Sequence, residues 1–345
     1  MALHPVRRAH LIGSLPATDA ADAMRFALDH LGPHLDCLPD GETGERGQWI
    51  MNLLDGFRRH PALETVRDGD LSGYDTVPRY RVRRGERLYG AMLDLGIAAA
   101  AKDALPAYRA AREATGEPFP RFQVGIPGAL DLALFTFGPA GVLRYEKPFA
   151  EALSAAMHEV SALTGDDVLF QVEIPAELVL TARAPKPARR ALAGFLAARV
   201  SALALGAPAG ARFGVHLCLG DLHHRALGRM TDAGPLVHLA NALTQRWPGS
   251  RPLQYVHVPL AAAADPPVVD PAFYRPLRDL RLRGARLIAG YAHERQDLHT
   301  QLQIRGHLEE AVGAPVDVST SCGLGRRDRD GAAAAMERIA TLVRD

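Results

Sequence analysis

Short runs of β-branched and aromatic residues alternate with Ala/Leu-rich helical stretches along this chain, and that alternation restricts the fold more than any other feature. Candidate strands fall at 9–13, 35–39, 121–125, 168–174, 212–219, 253–258, 286–291 and 316–321. Helical patterns lie at 19–31, 87–113 (bent or broken at Pro106), 140–163, 187–205, 235–247, 271–283, 296–312 and 330–343. Parallel strands need crossover connections of this kind, so strict alternation predicts a parallel sheet. Eight units and no ninth predict closure into one α/β domain over 1–345, a single (β/α)8 TIM barrel. The segment 43–120, after the second strand, is far longer than an ordinary βα connection. It holds a helical piece at 47–59, the turn-rich Asp68-Gly69-Asp70-Leu71-Ser72-Gly73 and the alternating Arg79-Tyr80-Arg81-Val82-Arg83. With few large apolar residues for a core of its own, it reads as an inserted helical and β excursion at the barrel mouth. The arginines at 79, 81, 83 and 84 read as a solvated face.

The bulk numbers exclude several classes. A net charge of +1 gives no global field to recruit nucleic acid or an anionic membrane. Three cysteines in 345 residues make no disulfide framework, and the odd count favours a reducing compartment. The N-terminal run from Met1 to Arg8 lacks the apolar core of a signal peptide. The most apolar candidate span, 194–211, is broken by Arg199, Gly206, Pro208 and Gly210. A cytoplasmic location is the expectation.

Active sites of such barrels lie at the C-terminal ends of the strands. In chain order those ends offer Ser14, Asp40-Gly41-Glu42, Gly125, Glu173, His216 and Cys218, His257, His293 with Glu294, and Cys322. Side chains two apart on a strand face the same way, so His216 and Cys218 share one space. Cys322, in Ser321-Cys322-Gly323, ends another strand. An imidazole and two thiolates suit Zn²⁺, and an open fourth position would make such a site catalytic. Glu173 interrupts an apolar strand, and an inward carboxylate needs a partner. His257 interrupts Tyr255-Val256-His257-Val258 and fits either a ligand or a hydrogen-bonded core histidine. Cys37 reads as a small buried hydrophobe, and His223 and His224 as exposed.

These residues make the chain resemble the catalytic barrel of cobalamin-independent methionine synthase, within the uroporphyrinogen decarboxylase/methionine synthase-like superfamily. The carriers are Ile12-Gly13-Ser14-Leu15-Pro16, Asp40-Gly41-Glu42, Gln171-Val172-Glu173-Ile174-Pro175-Ala176, His216-Leu217-Cys218 and Ser321-Cys322-Gly323-Leu324. The resemblance implies zinc on His216, Cys218 and Cys322, activating a substrate thiol for methylation. It further implies an amino-acid pocket in which Glu42 and Glu173 hold an ammonium and the Ser14 region a carboxylate. Departures stand beside it. The family's second, N-terminal barrel has no room in 345 residues, so the donor is not given by the resemblance. Where the family's fourth zinc ligand is a glutamate, this chain offers His257. Glu173 stands where the family has aspartate, and Ile174 where it has glutamate.

The expected activity is zinc-dependent transfer of a methyl or other alkyl group to a zinc-activated substrate thiol. The partners are a small-molecule thiol acceptor and an alkyl donor, with a corrinoid or a small methylated compound as donor classes. His257 is the expected fourth metal ligand and His293 the acid that protonates a leaving group. The alternatives are a metal-free lyase or decarboxylase of the same superfamily, with both cysteines as spectators, and a zinc-binding carrier without catalysis.

Overall fold

The computed structural model describes residues 7–116 and 119–345, apart from the side chains of 45, 48 and 49. Residues 1–6, which carry most of the N-terminal leader reading, lie outside the described residues, as do 117 and 118 within the long segment.

The strands are β1 (Cys37–Pro39), β2 (Leu63–Arg67), β3 (Arg79–Val82), β4 (Arg121–Pro127), β5 (Val168–Ile174), β6 (Arg212–Leu217), β7 (Leu253–Pro259), β8 (Arg286–Gly290) and β9 (Asp317–Ser319). Seven of them form one parallel sheet in the order β1-β4-β5-β6-β7-β8-β9, and β2 and β3 pair as an antiparallel hairpin. The two edges of the large sheet meet through the residue at the first candidate strand. Ala9 bridges in parallel to Leu35 beside β1 and to Val318 in β9. Backbone bonds Ala9 N–H to His34 O and His10 N–H to Val318 O, both 2.9 Å, join the sheet through that segment. The result is a TIM-like barrel whose first strand is reduced to a single bridge position.

The helices are α1 (Ala20–Leu31), α2 (Trp49–Gly56), α3 (Ile97–Thr115), α4 (Ala129–Phe137), α5 (Val142–Thr164), α6 (Pro175–Arg183), α7 (Lys186–Leu205), α8 (Gly234–Arg246), α9 (Leu298–Val312) and α10 (Arg329–Arg344). Asp19, Asp297 and Asp328 accept backbone N–H groups at the starts of α1, α9 and α10, satisfying donors those turns leave free. In the segment 43–120, α3 packs between α1 and α5, in the outer layer. It runs unbroken through Pro106. Leu54, Phe57, Val77 and Tyr80 of the same segment belong to the main core cluster. Arg79 is half-buried and donates to the carbonyls of Leu134 and Phe135, while Arg81 pairs with Glu64.

Two local expectations are corrected. The stretch 271–283 forms two short 3₁₀ turns, Pro271–Phe273 and Arg275–Asp279, instead of an α-helix. Conversely α4 and α6, which follow β4 and β5 directly, have no counterpart in the sequence reading. Helix α4 is buried on nearly all sides, so it shows no apolar stripe of helical period. Among the described residues no helix is long and apolar enough to cross a membrane.

The strands separate two environments with period two. Phe170, Val172 and Ile174 of β5, Phe213, Val215 and Leu217 of β6, and Val256 and Val258 of β7 are fully buried members of the main core cluster, beneath the helices. The alternate residues meet inside the barrel. There His10 Nε2 lies 2.9 Å from Gln171 Oε1, and the Tyr255 hydroxyl donates to the same oxygen at 3.0 Å. Gln123 and Gln171 both donate to the carbonyl of Ile12 at 2.6 Å. Gly214 makes room for this layer, since a Cβ there would stand 2.0 Å from the Tyr255 ring. Gly214→Ala is therefore expected to destabilise the fold by about 1–3 kcal/mol through overpacking. Urea unfolding would read this as a lower midpoint with an unchanged slope.

Candidate metal centre and binding cavity

Register places the chemistry. Glu173 on β5 is paired with His216 on β6, and His216 with His257 on β7, so three inward-facing positions stand side by side at one level. Cys218 follows β6 on the same side as His216, and Cys322 follows β9 in a turn held by the Thr320 hydroxyl on the Cys322 carbonyl at 2.8 Å. Ligand atoms of His216, Cys218 and Cys322 lie within 4.8 Å of one another. The two sulfurs are 3.8 Å apart, and the Gly220 N–H donates to Cys218 Sγ at 3.2 Å.

His257 stands outside this group, with both ring nitrogens engaged. Its Nε2 lies 3.0 Å from the carbonyl of Thr320, which can only accept, so Nε2 carries the proton and donates. Burial pushes its pKa well below the ordinary value, so the ring is neutral and its Nδ1 is an acceptor. His216 Nδ1 lies 2.8 Å from that atom and must be its donor. This relay leaves His216 Nε2 as a bare lone pair, buried and without a protein partner among the described residues. His257, expected as a fourth ligand, lies outside the His216, Cys218 and Cys322 group and contacts His216 through its Nδ1. Gly290 permits it, since a Cβ there would stand 2.7 Å from His257 Nε2.

A cavity of about 100 Å³ joins this group to Ser14, Glu42 and Glu173, so most of the expected site residues share one wall-to-wall space. Gly13 and Gly125 open room for Glu42, because a Cβ at either would come within 2.7 Å and 3.0 Å of its Oε1. Glu42 itself has φ of +44°, a left-handed conformation costly for a side chain with a Cβ. Asp40 supports it by accepting the Glu42 N–H at 3.0 Å and by pairing with Arg46. Gln171 donates to Glu173 Oε1 at 3.1 Å and so fixes that carboxyl to the interior layer. Burial, then the charge of Glu173, pushes Glu42 well above the carboxylate range. Burial, then Cys322, pushes Glu173 up to about 7.

Two further cavity residues were not singled out in the sequence. Asp221 is buried, its Oδ1 has no partner, and burial raises it to about 6. Arg326 donates to Ser14 Oγ at 3.2 Å, its Nε is buried without a partner, and among the described residues no carboxylate forms an ion pair with it. Asp221 follows the glycine that ends the β6 run, and Arg326 lies four residues after Cys322, which are the available signals. His293 is buried but does not line the cavity. Its Nδ1 accepts the Arg295 N–H at 3.2 Å and lies 3.8 Å from Glu294, which pairs with Arg327 at 2.9 Å. His223 is exposed, His224 is partly buried against the Arg326 carbonyl, and Cys37 is buried with Leu169, Tyr255 and Ile288.

The donor set fits zinc. It offers two thiols and one imidazole lone pair, the latter oriented from behind by a neighbour, as metal-bound histidines commonly are. Sulfurs 3.8 Å apart also match two ligands on a tetrahedral ion with bonds of about 2.3 Å. In the metal-free pair, the hydrogen bond between the thiols favours one proton shared by two sulfurs. That bond lowers Cys322 and raises Cys218, with burial opposing ionisation of both.

No family model matches the chain, and no curated protein matches it. Solved structures do. A B12-independent methionine synthase from Shewanella sp. W3-18-1, in complex with selenomethionine, aligns over 98% of both chains with a TM-score of 0.62 and 14% identity. A methyltransferase from Methanosarcina mazei aligns over 99% of this chain and 94% of its own, with a TM-score of 0.57 and 11% identity. The structural neighbours are thus B12-independent methionine synthase-like proteins and a methyltransferase, and at these identities the likeness establishes a common fold.

Glu173 generates a pH prediction. A carboxyl raised on folding contributes stability fully present below its unfolded value and lost as pH rises through the folded one. The metal-free protein should therefore lose thermal stability from about pH 4.5 to about 7 as this group titrates. Glu173→Gln should flatten that part of the profile, read by calorimetry at stepped pH.

Proposed function

We propose that this protein is a methyltransferase that alkylates the sulfur of a small thiol acceptor held at a zinc ion. The observation that carries the reading is the buried, partnerless Nε2 of His216, set by the His257 relay beside the sulfurs of Cys218 and Cys322. Those three residues hold the metal, and two thiolates with a neutral imidazole balance its two charges. When bound, zinc holds an acceptor thiol as thiolate at neutral pH. The fold shared with a methionine synthase and a methyltransferase supports the reaction class.

The chain's own residues determine what enters. Glu42 and Glu173 face each other with no cation in hydrogen-bond contact among the described residues, and an ammonium between them would relieve the charge of Glu173 that raises Glu42. On the other side, Arg326 and Ser14 present a guanidinium and a hydroxyl that a carboxylate would satisfy. The acceptor is an amino-acid thiol in this reading. The donor is a small methylated compound or a corrinoid, whose methyl group would pass to the acceptor sulfur as its bond to the donor breaks, the bonding pair leaving with the donor. His293 acts through Glu294 and Arg327 as a support of the turn after Cys322, and the leaving-group proton is not assigned to it. The partner molecules are thus an acceptor and a donor of low molecular weight.

Metal content tests the proposal. Protein purified without chelators should hold one equivalent of zinc, and Cys322→Ser should lose both the metal and alkyl transfer while remaining folded. His257→Ala should keep the one-to-one stoichiometry with affinity weakened about 10–100-fold, as for other residues that orient a ligand. Less than a tenth of an equivalent, with no uptake when zinc is offered, would leave the metal-free lyase reading in its place. Arg326→Gln should weaken binding of a carboxylate-bearing aminothiol by about tenfold or more, the worth of a charged hydrogen bond, and leave the corresponding carboxamide unaffected; calorimetric titration of the zinc-loaded protein reads both.

A further inference from the structure

Behind the cavity wall lies a second pair of carboxyl groups. Asp131 is the third residue of α4 and Glu177 the third of α6, and both are essentially fully buried. They meet at one glycine. A Cβ on Gly128 would stand 2.3 Å from Asp131 Oδ2 and 3.3 Å from Glu177 Oε1. The Ala176 N–H donates to Asp131 Oδ1 at 2.7 Å, so Asp131 caps the start of α6 from a different helix. Among the described residues, Asp131 Oδ2 and Glu177 Oε2 have no hydrogen-bond donor.

Among the described residues no cation pairs with either carboxyl. Glu146 of α5 faces Glu177, but its own charge is taken by Arg199 of α7. Glu173 of β5 adds a further negative neighbour to Asp131. Arg79 of the β2–β3 hairpin reaches the far end of α4, where it binds carbonyls, and Arg183 at the end of α6 donates to the Leu227 carbonyl. Two ionised carboxylates with a single backbone N–H between them would repel in a medium of low polarity. One proton converts the same geometry into an O–H···O bond between the two helices.

The joint adjoins the site. The Gly128 N–H donates to the Glu173 carbonyl at 2.8 Å, while Phe135 of α4 and Pro175 of α6 line the cavity. We propose that Asp131 and Glu177 are a proton-sharing carboxyl pair that ties the start of α4 to the start of α6 and positions the cavity wall bearing Glu173 and Pro175. These are positioning residues, removed from the reacting atoms. Burial raises both groups, Glu177 to about 7 and Asp131 well above the carboxylate range, so Glu177 ionises first and Asp131 keeps the shared proton beyond neutral pH.

The test uses Asp131→Asn, Glu177→Gln and Glu177→Ala in the full chain, without any metal or substrate. An amide donates the hydrogen bond that the protonated carboxyl supplies, and it does not titrate. The wild type should lose several degrees of thermal midpoint between pH 7 and 9.5. Either amide variant should lose at most half as much, the remainder coming from Glu42, Glu173 and Asp221. Glu177→Ala should be less stable than Glu177→Gln across the range. Hydrogen exchange, corrected for its intrinsic pH dependence, should rise at least tenfold in segments 128–136 and 172–180 of the wild type between pH 7 and 9.5. It should stay level in Glu177→Gln. Parallel midpoint profiles for wild type and both amides would overturn the shared proton. Equal stability of the alanine and glutamine variants would overturn the bond, and unchanged wild-type exchange would overturn the positioning role.

Discussion

Every second residue of the parallel strands faces the barrel axis, and the site depends on that constraint. In β5, β6 and β7 the outward set is apolar and buried beneath the helices, while the inward set is Gln171 and Glu173, Gly214 and His216, Tyr255 and His257. A shift of one residue in register would send each of these polar groups into the apolar layer, at several kcal/mol per unpaired group. The same packing that makes the barrel stable therefore fixes where its imidazoles and carboxylates stand. The interior below them is a hydrogen-bonded layer of His10, Gln123, Gln171 and Tyr255, which gives the site a polar and directional floor.

On that floor the charges are arranged by neighbours more than by solvent. The Thr320 carbonyl sets the proton on His257, His257 sets the proton on His216, and His216 is left with one free lone pair beside two sulfurs. Across the cavity, burial raises two carboxyls, Glu42 further through the charge of Glu173, and among the described residues the Arg326 guanidinium has no acid in ion-pair contact. Burial of unmatched charge is costly unless a ligand completes it. A metal cation on one side and a zwitterion spanning the other would complete this set.

Much of this was legible in the sequence because it follows from period and punctuation. Strands ending in His216-Leu217-Cys218 and Ser321-Cys322-Gly323 could be recognised from apolar runs closed by glycine, and the cavity gathers those residues with Ser14, Glu42 and Glu173. What could not be read depends on contacts between distant segments. His257 looks like a ligand in one dimension. Its role emerges only when β7 lies in register with β6 and the turn after β9 brings the Thr320 carbonyl to Nε2. Arg326 is one of several arginines after Cys322, and composition does not distinguish a cavity-facing guanidinium from a solvated one. Helix α4 lacked an amphipathic signal because no broad face of it meets water, and 271–283 carried one although it folds as two short 3₁₀ turns.

The central claim is that two sulfurs and one imidazole form the protein's share of a zinc site, with a position left for an acceptor thiol. X-ray absorption at the zinc edge measures this directly on zinc-loaded protein before and after addition of an aminothiol acid. The account predicts two sulfurs at about 2.3 Å and one imidazole nitrogen at about 2.0–2.1 Å, with a light atom completing the shell, then three sulfurs and one nitrogen once the thiol is added. A shell with two imidazole nitrogens, or a sulfur count that does not rise with thiol, would contradict it.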